Sequence, residues 1–457
     1  MTKKYQKSLF IFRRDLRLDD NTALLEATKQ SQKIIPIFIY DPQQITNKNK
    51  YLSKNALQFM FKSITDLKKQ LHNRKGKLYE LYGISDKVIE DVIKQNKIDA
   101  IFFNKDYTPF SKRRDEKIEK LCKKYHIDCN SFHDELINNP EEIFTKQVKP
   151  YTIFTPYFKA ASKLSIKKPQ IFPKIFFVHE PIESSYKNIP SIKIIKNNNI
   201  AERGGRKESQ KIVKNIKKFK NYNKERNFPA LDATTKLSAH NKFGTSSIRE
   251  IYYAIKENLG LDNDLIQELY WRDFFTYIAD HFPHVFKGPF KEKYKKIKWK
   301  NNRTWFKNWC NGTTGFPIVD AGMRKLNQTG FMHNRVRMIT ASFLVKDLHI
   351  NWQWGEKYFA QHLVDYDPAV NNGNWQWVAS TGADAQPYFR IFNPWLQQKK
   401  FDKDCIYIKK WVPELKDIPT KDLNNWFRTH KNYNISYPKP MVDHTEQVKI
   451  TKKFYKI

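Results

Sequence analysis

Over roughly the first 130 residues the chain alternates two periodicities, and that alternation limits the fold more than any other feature. Short β-branched and aromatic runs at 8–12, 34–40, 77–82 and 100–103, with a weaker one at 128–132, read as strands. Between them, 56–70, 86–94 and 112–125 carry helical spacing of apolar residues. Strands that alternate with helices predict an α/β domain built on a parallel, doubly wound sheet, with ligands expected beyond the strand C-termini. No G-x-G-x-x-G follows the first strand; Arg13-Arg14-Asp15-Leu16-Arg17 stands there instead, which disfavours a Rossmann dinucleotide site.

Strand signals then fade. Residues 138–203 turn to Pro, Lys, Ile and Asn with little periodicity, as a connector does. Helical spacing dominates afterwards, at 208–221, 247–258, 265–281, 322–329, 334–347 and 356–363. With 457 residues the chain is too long for one core. The expected partition is an α/β domain over 1–135, a connector over 136–205 and a mainly α domain over 206–457.

Charge narrows the partners. Lys and Arg number 83 against 47 Asp and Glu, a formal net charge of +36 that concentrates polyanions near the surface. Nucleic acid is the first partner this suggests, although lysines scattered through loops also fit a compositional bias without function. The 4 cysteines show no C-x-x-C pair and no histidines at metal spacing, so no metal site is expected. The start of the chain has no signal-length apolar segment and no run could span a bilayer, which predicts a soluble, cytoplasmic protein.

Four clusters in the helical part carry chemistry. Tyr222 with Thr234-Thr235-Lys236-Leu237-Ser238 offers hydroxyls and backbone N–H groups that suit a diphosphate, although such runs more often cap helices. On a helix, Glu268, Trp271, Arg272 and Phe275 share one stripe; a carboxylate, an indole and a guanidinium together suit a pocket with a stacking wall, the plainer alternative being a core helix with a surface ion pair. In His333-Asn334-Arg335-Val336-Arg337-Met338, Asn334 and Met338 fall one turn apart, so an amide and a thioether could meet a planar heterocycle. Asp365-Tyr366-Asp367, followed by Asn371-Asn372-Gly373-Asn374-Trp375-Gln376-Trp377, reads as a loop around a bound group, with Asp365 paired to Arg337 rather than to a metal.

In this order, and over nearly the whole chain, these motifs resemble the photolyase/cryptochrome family. Phe12-Arg13-Arg14-Asp15-Leu16-Arg17 with Asp20-Asn21 and Ala23-Leu24 is similar to the family's first strand and turn. Gly315-Phe316-Pro317-Ile318-Val319-Asp320-Ala321-Gly322-Met323-Arg324 and the block from Asn371 to Pro394 are similar to its flavin-binding core.

The resemblance implies a U-shaped FAD in the helical domain, with Tyr222 and Thr234, Thr235, Lys236, Leu237 and Ser238 at its diphosphate. Asp365, Tyr366 and Asp367 would lie by the ribose and the isoalloxazine edge, Arg337 beside them, and Asn371 opposite flavin N5. It also implies light-driven repair of cyclobutane pyrimidine dimers, in which reduced FAD gives an electron to a flipped-out dimer. Glu268 would hydrogen-bond the dimer, Trp271 and Trp377 would wall its pocket, and Asn334 and Met338 would lie beneath the bases. Arg226, Arg272, Arg335 and Arg390 would meet phosphates of damaged DNA, single- or double-stranded. Trp375, Trp352 and Trp309 would carry electrons from the surface to the flavin.

The same positions resemble the class I dimer-repairing branch, because (6-4) enzymes carry His at the places of Asn334 and Met338. Two departures stand out. The family's Leu-Ser-Pro-Tyr-Leu reads Leu237-Ser238-Ala239-His240-Asn241, and the acid of folate-binding members, near Thr108, is displaced to Asp106. A second, antenna chromophore, 5,10-methenyltetrahydrofolate or 8-hydroxy-5-deazaflavin, is therefore left open. The expected state is a monomer. Two rival readings are a cryptochrome-type blue-light sensor without repair activity and a basic DNA-binding protein without catalysis, suggested by the lysines between Lys291 and Lys300.

Overall fold

The structure, a computed structural model, describes residues 3–173, 177, 182–190 and 196–456. Part of the expected connector lies outside them. Five parallel strands form one sheet: β1 (Tyr5–Phe12), β2 (Ser31–Tyr40), β3 (Tyr79–Tyr82), β4 (Ala100–Asn104) and β5 (Asp128–Phe132), in the order β3-β2-β1-β4-β5. The order reverses between β1 and β4, the switch point of a doubly wound sheet. In β1, Leu9, Phe10, Ile11 and Phe12 are all buried, as expected of a central parallel strand covered on both faces.

The helices between the strands start where their capping residues stand. Asn21 accepts from the Leu24 N–H at the head of α1 (Thr22–Gln30), and Ser53 from the Ala56 N–H at the head of α2 (Lys54–His72). Next come α3 (Ser85–Gln95) and α4 (Pro109–Lys124). Thr108, near the place of the folate-binding acid, caps α4 by accepting from the Ser111 N–H. The expected connector holds one helix of note, α5 (Phe154–Ala161).

Packing divides the later chain differently from the expected boundaries. One compact unit comprises Met1–Lys196, Glu202–Lys218 and Thr235–His281; the other comprises Asn197–Ala201, Phe219–Thr234 and Phe282–Ile457. Helices α6 (Arg206–Lys214), α7 (Ser238–Phe243), α8 (Ile248–Leu259) and α9 (Asp264–His281) thus belong with the sheet. Buried ion pairs explain why: Arg249 reaches Asp20 and Asp134, each at 2.8 Å, and Arg17 reaches Asp134 at 2.6 Å. Composition reports helicity but not such tertiary pairing, so no boundary near His281 was visible in it. The helix expected over 208–221 also stops early, at Lys214, and a short 3-10 turn, Ile216–Phe219, follows.

The second unit is helical around one core that includes Trp309, Phe316, Phe343, Trp352, Phe359 and Trp375. Its main helices are α10 (Arg303–Asn311), α11 (Pro317–Thr329), α12 (Asn334–Ser342), α13 (Trp352–His362), α14 (Pro368–Val378), α15 (Pro394–Phe401) and α16 (His444–Phe454). The stretch expected as one helix over 334–347 widens into a π-helical turn at Phe343–Asp347. The Gly315–Arg324 motif has a structural cause. Asp320 accepts from the Thr314 and Gly315 N–H groups and from the Tyr437 hydroxyl, and Gly315, at φ +77°, leaves no room for a Cβ beside the Lys439 carbonyl.

Candidate flavin and DNA site

In the first unit, α9 is buried along most of its surface, and the partly exposed residues include Gln267, Glu268, Trp271 and Arg272. The stripe expected from spacing is therefore present, except that Phe275 is buried. Trp271 does not stand alone. It stacks on Phe154 of α5 at 3.6 Å between centroids and 8° between planes, and leans on Phe275 at 5.6 Å.

Arg272 is turned inward, which corrects its expected place at a DNA phosphate. Its guanidinium donates to the Glu135 carbonyl at 2.9 Å, to the Glu135 carboxylate at 3.1 Å and to Asp273 at 3.0 Å. The adjacent Asp273 also accepts from the Ile137 N–H, and burial still pushes its carboxyl up to about 7.

The segment Thr234–Ser238 is half-buried apart from buried Leu237 and exposed Ser238. No side chain caps the start of α7, so the hydroxyls are not spent as its cap. Lys236 takes a left-handed φ of 56°, an uncommon conformation for a residue with a Cβ. His240, the departure from the family pattern, is a core residue: Nδ1 meets the Thr245 hydroxyl at 2.7 Å, the ring packs edge-on against Phe59, and burial lowers its pKa to about 4. The neighbouring Asn241 has a buried Oδ1 with no partner in the protein. The displaced acid Asp106 is also committed inside, to Arg14 at 3.5 Å and to the Thr108 N–H.

In the second unit, Tyr222 is half-buried with the Arg226 guanidinium 5.7 Å above its ring. Asn334 is exposed and Met338 half-buried on α12, one turn apart as expected. Arg335 lies over the Phe401 ring at 4.5 Å and donates to Asn227 Oδ1 at 2.7 Å, while Arg390 is exposed and Trp377 half-buried.

Arg337 donates through Nη2 to Asp365 Oδ2 at 2.9 Å, so the expected pair is formed. Asp365 is buried, and its Oδ1 has no partner in the protein. A buried carboxylate oxygen without a donor is costly, which suits a bound group that brings an N–H or O–H of its own. Tyr366 packs against the core, and Asp367 caps α14 by accepting from the Ala369 and Val370 N–H groups. One turn on, Asn371 is anchored through its amide nitrogen, which donates to the Glu356 carbonyl at 3.1 Å. That leaves the amide oxygen as the end able to accept a hydrogen bond. These residues fit a flavin: an acceptor for a ring N–H, an ion pair and an orphaned oxygen lie close together in the chain.

Glu356 was not singled out by sequence reasoning. It is buried, its carboxyl accepts from Asn372 Nδ2 at 3.1 Å, and burial raises it to about 7. The available signal was an acid one turn from Trp352, at a spacing that puts it on the same buried face as that tryptophan. His333, the cap of α12, was passed over as well; burial brings it down to about 3.

Of the three tryptophans expected in the electron chain, Trp375 and Trp352 are buried at 2% exposure and Trp309 at 0%. Trp309 donates its indole N–H to the Thr340 carbonyl at 3.0 Å, so it cannot be the surface end of any chain. Trp299, Trp305, Trp354, Trp377 and Trp411 are the partly buried tryptophans packed against this core. Among the described residues no group of three His, Cys, Asp or Glu could hold a metal, and no helix is long and apolar enough to cross a membrane.

Comparison with known proteins gives the family. The DNA photolyase family matches residues 8–174, and the FAD binding domain of DNA photolyase matches residues 265–457. The deoxyribodipyrimidine photo-lyase of Alkalihalophilus pseudofirmus is 35% identical over 471 residues, 97% of each chain. The archaeal photolyase of Sulfolobus tokodaii, solved with two FAD molecules, superposes at a TM-score of 0.89 with 42% identity, over 99% of this chain and 100% of its own. A bacterial class III photolyase of Agrobacterium tumefaciens superposes at 0.91 with 31% identity, over 100% of this chain and 98% of its own. The chain belongs to the DNA photolyase family, as an enzyme of deoxyribodipyrimidine photo-lyase type that carries the family's FAD-binding domain.

Proposed function

We propose that the chain repairs cyclobutane pyrimidine dimers in single- or double-stranded DNA, as a monomer, by the class I route. FAD in its reduced form supplies a light-driven electron that opens the cyclobutane ring and then returns, with no net redox change. The protein's residues bind, orient and exclude water.

The observation that carries the reading is the amide of Asn371. Its nitrogen is tied to the Glu356 carbonyl, so its oxygen is the end that would accept from flavin N5–H without placing a charge there. An acid at this position would bring a proton and a charge of its own. Arg337 and Asp365 would hold the polar edge of the ring, the orphaned Asp365 oxygen taking a ring donor. Tyr222 and the hydroxyls of Thr234, Thr235 and Ser238 would serve the diphosphate, with the Lys236 and Leu237 backbone between them, and Tyr366 and Asp367 would lie near the ribose.

On the substrate side, Glu268 would hydrogen-bond the dimer, accepting from a ring N–H or, when protonated, donating to a carbonyl, with Trp271 and Trp377 as flat walls and Asn334 and Met338 against the bases. Stacking on Phe154 holds the Trp271 ring in one orientation before any base arrives, which lowers the entropy lost on binding. Arg226, Arg335 and Arg390 would meet phosphates. Trp375, Trp352 and Trp309 would feed electrons to the flavin.

For the antenna, similarity to the Sulfolobus tokodaii photolyase, whose second FAD is described as a light-harvesting cofactor, favours a second FAD. The test of the main reading is incubation of the chemically reduced protein with a dimer-containing oligonucleotide, dark and under blue light. Restored pyrimidines in the light alone, lost in Glu268→Ala with Trp271→Ala, support it. Tight binding of the damaged strand without restoration would leave a light sensor on this fold.

A further inference from the structure

Trp309 is the largest side chain in the second unit with no exposure at all, yet it touches both a buried tryptophan and a half-buried tyrosine. Its ring centroid is 6.2 Å from Trp375 on one side and 5.7 Å from Tyr358 on the other. Phe359 fills the angle between the two tryptophans, 5.9 Å from Trp309 and 4.9 Å from Trp375. The indole N–H of Trp309 is held by the Thr340 carbonyl, which is no proton acceptor at neutral pH. A Trp309 radical cation would therefore keep its proton and stay strongly oxidising.

Tyr358 is the next oxidisable group, half-buried, with its hydroxyl bonded to exposed Asn327. That hydroxyl lies between two acceptors, the Asn327 side-chain oxygen at 2.8 Å on the exposed side and the Cys310 carbonyl at 3.0 Å, and the Asn327 amide donates to the same Cys310 carbonyl at 2.8 Å. Burial of the ring raises the phenol, so it stays neutral until it is oxidised. The ring stacks on His362 at 4.1 Å.

We propose that Trp309 and Tyr358 form a second electron-supply branch, leaving Trp375 for the Asn327 surface independently of Trp352. This rests on the reading above, in which Trp375 feeds the flavin. Trp375 gives one electron to the light-excited oxidised flavin. Trp309 then reduces the Trp375 radical cation, and Tyr358 reduces the Trp309 radical cation. Tyr358 releases its phenolic proton to water at the Asn327 edge and becomes a neutral tyrosyl radical. A low-molecular-weight thiol in solution returns one electron and one proton to it and is left as a thiyl radical, two of which couple to a disulfide.

The experiment is light-induced electron paramagnetic resonance on the FAD-loaded full chain, with the flavin oxidised at the start. Wild type is expected to show a tyrosyl radical. Tyr358→Phe should lose that signal and keep a tryptophan radical; Trp309→Phe should lose it too, and Trp352→Phe should retain it. A tyrosyl signal that survives Tyr358→Phe, or a wild type with tryptophan radicals only, would overturn the branch. Trp375→Phe separates the two ideas, because it abolishes all light-driven reduction if the underlying reading holds and leaves it intact if that reading fails. Should Trp309→Phe fold poorly, Tyr358→Phe removes only a hydroxyl and decides alone. Repair started from chemically reduced protein should be unchanged in Tyr358→Phe, which marks the branch as electron supply rather than repair.

Discussion

The Arg337 guanidinium holds one oxygen of Asp365 at 2.9 Å, while the other oxygen of that carboxylate is buried with no donor from the protein. The arrangement is half of a binding site: the charge is balanced but the hydrogen bonding is incomplete. Asp365→Asn should therefore cost flavin more than fold. A lost hydrogen bond to a charged group is worth about 1.5–3 kcal/mol, or about 10- to 100-fold in FAD affinity, while the apo-protein's unfolding midpoint should move little. Arg337→Ala is expected to lower both, because it leaves the carboxylate buried and unpaired. FAD titration alongside thermal unfolding of the apo-protein separates the two; equal loss of affinity and stability in Asp365→Asn would argue against a ligand at Oδ1.

Glu356 sets a pH dependence whose sign follows from burial. Its carboxyl rises from an ordinary 4.5 to about 7, so the folded chain holds the proton more tightly than the unfolded one. The associated stability is complete below about pH 4.5 and is lost as the pH rises through about 7. Glu356→Gln, whose amide oxygen can still accept from Asn372, should remove that dependence. The variant should gain on wild type as the pH rises, by a difference on the order of 3 kcal/mol. Urea unfolding at about pH 5 and about pH 8 reads it, and parallel pH profiles of the two proteins would refute the assignment.

Gly315→Ala tests whether the Gly315–Arg324 motif is a fold motif before it is a flavin motif. An added Cβ would come within 2.2 Å of the Lys439 carbonyl oxygen at a φ of +77°. Strain of that kind costs at least about 2 kcal/mol, so a clear drop in the thermal midpoint is expected even without FAD. An unchanged apo-protein would show that the motif answers to the cofactor instead.

Much of this was legible from residue spacing, and the failures share one cause. Period-two and period-3.6 patterns placed all five strands and the α9 stripe because those signals are local. The Arg337–Asp365 pair was readable too, since no histidine accompanies the acids at metal spacing and an arginine was the remaining partner. The depth of Trp309 was missed because a resemblance along the chain carries no depth; only packing shows that it is enclosed by Phe306, Phe359 and Trp375. Arg272 was misread for the same reason. Its partner Glu135 lies 137 residues away in the chain, beyond the reach of any local pattern. Glu356 was missed because a buried acid looks, in sequence, like any solvated one.

If the Sulfolobus tokodaii likeness extends to the antenna, the purified protein should release about two FAD per chain on denaturation rather than about one. A folate or deazaflavin in the extract, with one FAD, would restore the earlier alternatives. Asp106 is committed inward to Arg14 and Thr108 caps a helix, so neither offers a free carboxylate to a folate.

Arg272 and Arg390 should behave in opposite ways. Arg390 is exposed, and if it meets a phosphate its removal should weaken binding of damaged DNA and lower the salt slope of that binding by about 1. Arg272 is tied to Glu135 and Asp273, so Arg272→Ala should leave the salt slope in place and destabilise the fold, by less than the ~3–5 kcal/mol of a fully unpaired buried charge because Arg14 still holds Glu135 at 2.7 Å. Binding titrations of a dimer-containing oligonucleotide across salt, paired with unfolding curves, test both variants in one design. A reduced slope in Arg272→Ala with unchanged stability would mean that its guanidinium turns outward when DNA arrives, and would return it to the set of phosphate contacts.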